Sequence, residues 1–366
     1  MENFVYETPT KVYFGKGEEQ NVGKIIAGFA PKKVLVHFGG QSARKSGLLD
    51  RVEKALEAEG IDYVELGGVT ANPELKLVRE GIALCQREGV DFVLAVGGGS
   101  VLDSSKDIAN GVANPDIDVW DFSLGKCVPQ KTLRKGAILT LAAAGSEMSN
   151  SCVITNEEGW YKKALDTDLA RPKFAIMNPE ITYTLPDYQT QCGCADIMMH
   201  TMERYFVLED TMEITDKIAQ DVMKNVMKYA KILKKDPENY EARAEIMWCG
   251  SLSHNGLTGC GTCGGDWATH LIEHELGGMF DVAHGAGLAA VWGSWARYVM
   301  DEKPERFAQF AVNVMELSRI EIITGMSKFN GLKSALSKAG VRGMTVTQVL
   351  GCGIEKGTKE YEVDES

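Results

Sequence analysis

The sequence lacks long apolar runs and lacks excess positive charge, and both absences restrict its partners. No apolar stretch approaches the about 20 residues of a membrane-spanning helix. The N-terminal Met1-Glu2-Asn3-Phe4 lacks the basic and then apolar pattern of a secretory signal. The formal net charge of −12 disfavours nucleic acids and anionic membrane surfaces as partners. We therefore expect a cytoplasmic protein that binds neither nucleic acid nor membrane.

The sequence also lacks the even cysteine count that is typical of a disulfide-rich protein. Its nine cysteines are scattered along a large chain without a secretory signal, and such cysteines are usually reduced core residues. Two close pairs, Cys192/Cys194 and Cys260/Cys263, leave a four-thiolate zinc or iron–sulfur site open as an alternative. The glycines that flank these pairs favour tight turns instead.

The hydrophobic pattern divides the 366 residues near 180–187, in keeping with two domains for a chain of this length. Upstream, short apolar strands alternate with helices, which is typical of a parallel sheet covered by helices. Downstream, the periodicity is helical as far as residue 317. We predict strands at 33–38, 61–66, 91–96, 136–141, 151–155 and 172–177, with helices at 42–59, 73–87 and 101–112. The predicted fold class is an α/β nucleotide-binding domain (1–183), an all-α domain (184–317) and a short β-α-β tail (318–366).

One glycine-rich loop, Gly97-Gly98-Gly99-Ser100, lies between a predicted buried strand and a predicted helix. Glycines at such a position let backbone amides approach a phosphate, which a helix N-terminus also attracts. A tight turn with a serine cap would need no ligand. Three successive glycines exceed what a turn requires, so the pattern favours phosphate binding.

A second glycine turn, Gly39-Gly40-Gln41-Ser42, follows an earlier predicted strand. No aspartate or glutamate stands in this turn to accept a ribose 2′-hydroxyl, and Arg44 and Lys45 are close in sequence. The turn therefore favours NADP(H), with NAD(H) as the alternative.

Histidine is scarce, yet five of the six histidines lie between residues 200 and 284, and His200, His270, His274 and His284 belong to recognisable motifs. Asp196 and His200 are four residues apart, as are His270 and His274, so each pair lies on one face of a helix. His284 follows after a glycine-rich break. Imidazole and carboxylate are ligands that suit a borderline divalent cation such as iron or zinc.

Five motifs taken together resemble those of the iron-containing (group III) alcohol dehydrogenases, most closely the NADPH-dependent butanol dehydrogenase branch. They are residues 97–106 (GGGSVLDSSK), residues 140–147 (TLAAAGSE), Asp196-x3-His200, His270-x3-His274-Glu275-Leu276 and His284-Gly285-x2-Leu288. The likeness covers about residues 1–317. It implies a Rossmann-like nucleotide domain over a helical metal-binding domain, in a dehydroquinate synthase-like arrangement with the active site in the cleft.

The resemblance also implies roles for individual residues. Asp196, His200, His270 and His284 would be the ligands of one catalytic iron or zinc ion, and His274 would be a catalytic residue beside the nicotinamide and the substrate. The predicted cofactor contacts include both glycine turns: Gly39, Gly40, Ser42, Gly97, Gly98, Gly99, Ser100, Asp103, Thr140, Ser149 and Lys162, of which Asp103 is also a candidate catalytic residue. Family members often have threonine where this chain has Ala144.

The implied reaction is hydride transfer between NADP(H) and a short-chain primary alcohol or aldehyde such as butanol or butanal, in a homodimer. A bound cation would polarise the carbonyl oxygen while hydride moves to or from nicotinamide C4. One rival remains, because His270-x2-Glu273-His274 also matches the inverted zinc-protease signature with Glu273 as general base. That alternative leaves the glycine loop unexplained. His37 and His254 are interpreted as structural residues.

The tail resembles another family, the P-II nitrogen-regulatory proteins, over 319–324, 340–346 and 351–357. The resemblance covers roughly the first half of such a domain, and a fragment of that size leaves a sheet edge uncovered. We therefore do not expect an independent regulatory domain. We interpret the tail as a foreign fragment that replaces the last helices of the dehydrogenase, with a divergent end of the same enzyme as the alternative. In either case, loss of several helices would expose apolar surface and impair stability and activity.

Overall fold

The fold is described from a computed structural model, in which residues 1–317 and the isolated positions 331, 333, 334 and 336 are described. The predicted β-α-β tail and its P-II resemblance lie outside the described residues, apart from those isolated positions.

The first half of the chain contains eight strands, six of which form a parallel sheet. The strands in chain order are β1 (Lys11–Phe14), β2 (Val34–Phe38), β3 (Tyr63–Leu66), β4 (Phe92–Gly97), β5 (Arg134–Leu139), β6 (Ser151–Asn156), β7 (Tyr161–Asp166) and β8 (Phe174–Met177). The sheet order is β1-β8-β5-β4-β2-β3, and β6 and β7 form a separate antiparallel hairpin. All six residues of the central strand β4 are buried, as expected for a parallel strand covered on both faces.

Helices cover both faces of this sheet, which explains the continuous apolar strands. The helices of the first half are α1 (Val22–Ala27), α2 (Ser42–Lys45), α3 (Leu48–Ala58), α4 (Leu75–Glu88), α5 (Gly99–Ala113) and α6 (Val119–Ser123). Val34 and Val36 of β2 pack in the core that contains α1 and α3, whereas Leu35 packs in the core that contains α4 and α5. This alternation follows from the two-residue repeat of a strand.

After β8 the described chain is helical, and the predicted fold class is confirmed. The helices are α7 (Asp187–Tyr205), α8 (Glu213–Leu233), α9 (Tyr240–His254), α10 (Ala268–Phe280), α11 (His284–Val299) and α12 (Pro304–Asn313). None of the described helices is both long enough and apolar enough to cross a bilayer. The domain boundary at 183/184 stays a prediction.

Some local predictions differ from the structure. The helix predicted over 42–59 is broken into α2 and α3 at Gly47, whose φ of 70° is left-handed. The sequence analysis does not identify β1 or β7. Lys11 and Phe14 of β1 are exposed and only the two residues between them are half-buried, and β7 carries buried Lys162 in a charged segment. Neither strand shows the apolar pattern on which a strand prediction depends.

Two helices of the second half approach each other closely beside the candidate metal ligands. A methyl group added at Gly285, the second residue of α11, would overlap the backbone carbonyl of Cys192 on α7. The helices therefore meet backbone to backbone, and this contact fixes their spacing.

We expect Gly285→Ala to lower the free energy of unfolding by about 1–3 kcal/mol, since an inserted methyl group forces packed backbone apart. Gly293→Ala is the matched control on α11, because only the end of Arg297 lies near its added methyl group, at 3.9 Å. That change should raise stability by about 0.5–1 kcal/mol, since glycine is unfavourable within a helix. Chemical denaturation measures both variants, and equal effects would contradict the close helix contact.

Candidate active site

The glycines in the loop after β4 allow other atoms to lie close to the loop backbone. A side chain at Gly97 would overlap Val101, and a methyl group at Gly98 would lie 3.2 Å from Cβ of Leu141. Helix α5 begins at Gly99, so its unpaired amides open at this loop. The backbone amide of Thr140 donates to the carbonyl of Gly97 at 3.0 Å. The predicted residues Gly97–Ser100 and Thr140 therefore lie at one edge of the sheet.

The second glycine turn lies beside the first, because the parallel strands end at the same edge. A methyl group at Gly39 would lie 3.7 Å from Cγ2 of Val101 in the first turn of α5, and Gly40 has open space around it. Ser42 begins α2. The guanidinium of Arg44 is surrounded by carboxylates of α3 and β3: Glu53, Glu65 at 2.5 Å and Asp50 at 3.6 Å. Arg44 is therefore already paired within the chain.

Asp103 and Ser149 belong to a buried polar cluster under the glycine loop. Asp103 accepts hydrogen bonds from Oγ of Ser146 at 2.6 Å and from the amide of Val153 at 3.1 Å. Nζ of Lys106 donates to Oγ of Ser149 at 3.2 Å. Burial raises the pKa of Asp103 and lowers the pKa of Lys106. These contacts hold α5 against the segment 146–153, and direct cofactor contact by Asp103 or Ser149 stays a prediction.

Three helices bring candidate metal ligands to one point. Asp196 lies on α7, His270 on α10 and His284 at the start of α11. One ligand atom from each of these residues lies within 4.8 Å of the other two. Oδ1 of Asp196 is 3.6 Å from Nε2 of His284 and 4.0 Å from Nε2 of His270. Among the described residues no other group of this kind occurs, so the cysteine-based site is not supported there.

In each of the three predicted histidine ligands, His200, His270 and His284, Nδ1 already contacts an oxygen atom. This leaves Nε2 available to bind a metal. Nδ1 of His270 is 2.8 Å from Oε1 of Glu203, and Nδ1 of His284 contacts Oε2 of Glu273. Nδ1 of His200 is 3.0 Å from the backbone carbonyl of Asp196. A histidine that binds a metal commonly donates its other ring N–H in this way.

The chemistry of these atoms fits a divalent cation. Nε2 of His270 is buried without a hydrogen-bond partner. Oδ1 of Asp196 also lacks a hydrogen bond of good geometry, although Nδ1 of His200 lies 2.9 Å away. Burial alone would raise the pKa of Asp196, but the neighbouring histidines lower it below its ordinary value. Burial lowers the pKa of His270 well below its ordinary value, which favours the neutral, metal-binding imidazole.

His200 is the predicted ligand that the structure places outside this group of three. Its ring centroid is 4.5 Å from that of His270, so it borders the site. Its role as the fourth ligand stays a prediction.

His274 also lies at the edge of the site. Its ring centroid is 5.9 Å from that of His284. Burial, followed by the nearby Lys162, lowers the pKa of His274 to about 2. The side chain is therefore a neutral donor or acceptor.

The sequence analysis missed the contacts by which several residues complete the site. Glu203 and Glu273 hold two of the histidines, and both glutamates follow a predicted ligand by three residues, a spacing that places them one helical turn away. His254, interpreted from sequence as structural only, packs its ring 4.2 Å from that of His200 and contacts Nη2 of Arg204 at 3.0 Å through its Nδ1. The sequence carries no local signal for His254, since it lies on a separate helix.

The geometry argues against the zinc-protease alternative. The side chain of Glu273 is fully buried, and its Oε2 lies 3.2 Å from Nζ of Lys162. A general base must reach the reacting water, whereas this carboxylate is held by Lys162 and His284.

A glycine-lined sheet edge and a histidine–carboxylate group fit the class of metal-dependent nicotinamide oxidoreductases. Comparison with known proteins agrees with this class. The family model described as iron-containing alcohol dehydrogenase matches residues 9–179. The C-terminal model of the Fe-containing alcohol dehydrogenase family matches residues 190–348.

Individual relatives are similar over most of their length. The chain is 39% identical over 353 residues to the NADH-dependent butanol dehydrogenase A of Clostridium acetobutylicum, covering 93% of this chain and 90% of the relative. It is 36% identical over 320 residues to the NADPH-dependent aldehyde reductase YqhD of Escherichia coli, covering 87% and 81%. The crystal structure of an NADH-dependent butanol dehydrogenase A from Thermotoga maritima superposes with a TM-score of 0.85 at 38% identity, covering 93% and 85%.

The chain belongs to the iron-containing alcohol dehydrogenase family, whose members are oxidoreductases acting on alcohols and aldehydes. The match to the family's C-terminal model continues to residue 348. Most of the segment that resembles a P-II protein is therefore matched by the dehydrogenase family itself, and the P-II resemblance receives no support.

We expect Glu203→Gln to weaken Zn²⁺ binding by about 10- to 100-fold, since loss of a carboxylate that orients a metal-binding histidine typically has this effect. Competition titration against a chelator measures the affinity. Glu241→Gln, which removes an exposed charge from α9, should leave it unchanged. Equal affinities for the two variants would contradict the role of Glu203.

Proposed function

We propose that the protein is a divalent-metal-dependent aldehyde reductase and alcohol dehydrogenase that uses NADP(H). Its proposed substrates are short-chain primary alcohols and aldehydes such as butanol and butanal. The main support is the convergence of the buried Nε2 of His270 and Oδ1 of Asp196, neither of which has a hydrogen-bond partner. The proposed ligand set is Asp196, His200, His270 and His284, with iron or zinc as the cation.

When bound, a cation at this site supplies a Lewis acid for the carbonyl oxygen, and the nicotinamide cofactor supplies the hydride. Asp196 and the histidines would hold the cation, and the contacts at Nδ1 of His270 and His284 leave their Nε2 atoms near Oδ1 of Asp196. His274 borders this site as a neutral imidazole. We propose that it orients the substrate hydroxyl and takes part in proton exchange with it.

The proposed cofactor site follows the sheet edge. The amides at Gly97, Gly98, Gly99 and Ser100 would hold the pyrophosphate, as backbone donors at a helix N-terminus do. The turn from Gly39 to Ser42 would hold the adenosine ribose. Since Arg44 is paired with carboxylates, recognition of a 2′-phosphate would depend on the turn backbone, Ser42 and Lys45.

The proposed substrates agree with the names of the relatives, whereas those names differ in the cofactor. The Clostridium and Thermotoga relatives are named as NADH-dependent butanol dehydrogenases, and YqhD is named as an NADPH-dependent aldehyde reductase. The absence of an acidic residue from positions 39–42 favours NADP(H) for this chain. A division into domains at 183/184, a homodimer and a cytoplasmic location are further proposals that rest on the resemblance and the sequence pattern.

The central test combines metal analysis with an assay of butanal reduction by NADPH. We expect the purified protein to retain about one divalent cation per chain and to reduce butanal. His270→Ala should abolish both, because it removes a buried ligand atom.

A variant outside both proposed sites separates metal loss from general damage. Gly293→Ala adds a methyl group to α11 with only the end of Arg297 nearby, at 3.9 Å, so it should keep the metal and most of the activity. If the wild type retains metal but oxidises no NADPH with any short aldehyde, the proposed function is wrong. A rate far below that of YqhD under the same conditions would instead support the interpretation that a foreign tail replaces the last helices and impairs activity.

We expect Gly39→Asp to lower the preference for NADPH over NADH at least about tenfold, because a carboxylate repels a 2′-phosphate and accepts from a 2′-hydroxyl. The nearest atom to an added Cβ is the carbonyl oxygen of Val69 at 3.4 Å, so the position admits a side chain. The ratio of kcat/KM for the two cofactors measures the change.

Gly39→Ala is the matched control, since it adds the same Cβ without charge. An equal shift in both variants would show that space rather than charge sets the preference. No shift in either would place the 2′-position away from this turn.

A further inference from the structure

Glu273 is a fully buried carboxylate that contacts a candidate ligand and a cation from the other half of the chain. Its Oε2 contacts Nδ1 of His284 and lies 3.2 Å from Nζ of Lys162. The Lys162 side chain, on β7 of the hairpin, is itself only 5% exposed. The pair therefore links the hairpin of the α/β half to α10 and α11 at the candidate metal site.

The surrounding helices leave space for this carboxylate. A methyl group at Gly287 on α11 would lie 2.8 Å from Cγ of Glu273, and one at Gly277 on α10 would lie 2.9 Å from Nζ of Lys162. Larger residues at either position would displace the ion pair. Two glycines on adjacent helices thus make room for a charge that is costly to bury without a partner.

The charges balance around this pair. With Nε2 of His284 on a cation, its Nδ1 would carry the hydrogen and donate it to Glu273, while Lys162 lies against the same carboxylate oxygen. Asp196 is then the carboxylate that faces the candidate site directly. Without Lys162, the negative charge of Glu273 would be uncompensated, with only the imidazole ring of His284 between it and the candidate metal position.

We propose that Glu273 is a positioning residue for the metal centre and that Lys162 is its counter-ion. Glu273 fixes His284 in the tautomer whose Nε2 faces the site. Lys162 makes the burial of Glu273 tolerable and limits the negative charge at the site. This proposal rests on the proposed function, since it takes His284 as a ligand, and it gives Lys162 a role other than the cofactor contact that the sequence suggests.

The proposed roles and a purely structural role predict different effects on metal binding when Lys162 is lost. Loss of the carboxylate removes the fixed tautomer, so it should weaken metal binding. Loss of the lysine removes a positive charge near the site, so it should leave metal binding as tight as in the wild type or tighter. A general loosening of the fold would weaken metal binding in both variants.

The test uses the full chain, Zn²⁺ and Co²⁺ as probes, and four proteins: wild type, Glu273→Gln, Lys162→Met and the double variant. Chelator competition measures Zn²⁺ affinity, and visible absorption of the Co²⁺ form reports the ligand geometry. We expect Glu273→Gln to bind Zn²⁺ about 10- to 100-fold more weakly with an altered Co²⁺ spectrum. We expect Lys162→Met to bind Zn²⁺ at least as tightly as the wild type.

The double variant keeps the proposal testable if Glu273→Gln does not fold, because it removes both buried charges together. It should fold and still bind Zn²⁺ weakly. Glu275→Gln, which removes an exposed charge from the same helix α10, should match the wild type.

Wild-type affinity in Glu273→Gln or in the folded double variant would overturn the proposal, as would weaker Zn²⁺ binding in Lys162→Met. A wild type that binds no metal would refute the proposed function itself. A wild type that binds metal and reduces butanal while Glu273→Gln keeps its affinity would refute only the role of Glu273.

Discussion

The buried carboxylate of Asp196 is the constraint on which the active site depends. A charge taken out of water is costly unless it is compensated, and Asp196 is only 3% exposed. Histidines of α7, α10 and α11 lie close to it, and they lower its pKa although burial alone would raise it. The helices must therefore pack so that the imidazoles reach one carboxylate. The close backbone contact of α7 with α11 at Gly285 belongs to the same requirement.

The parallel sheet supplies the other half of the site for a simpler reason. Strands that run in one direction end at one edge, so the loops after β2, β4 and β5 converge without specific side-chain contacts. Buried polar groups then connect this edge to the rest of the molecule. Lys106 and Asp103 hold α5, the helix that begins at the glycine loop, against the segment 146–153. Lys162, in the hairpin that follows this segment, reaches the metal side through Glu273.

The fold class was predictable because apolar periodicity records burial directly. The strands with continuous apolar sequence, such as β4, were located within one or two residues. The group of Asp196, His270 and His284 was predictable because the motifs that contain these residues resemble those of a family. Its role as a metal centre stays a prediction. The contacts that Glu203, Glu273 and His254 make with the other histidines were not predicted. They join separate helices, and a sequence pattern does not encode such contacts. The pairing of Arg44 with acidic side chains was hidden for the same reason.

The ligands lie on helices that are distant in sequence, and this has a consequence for folding. In an unfolded chain Asp196 is far from His270 and His284, so the full ligand set exists only after α7, α10 and α11 have docked. A cation then binds the native state in preference to the unfolded chain and stabilises it by mass action. The supply of metal in the cell would thus influence how much of this enzyme persists in folded form, as well as how much of it is active.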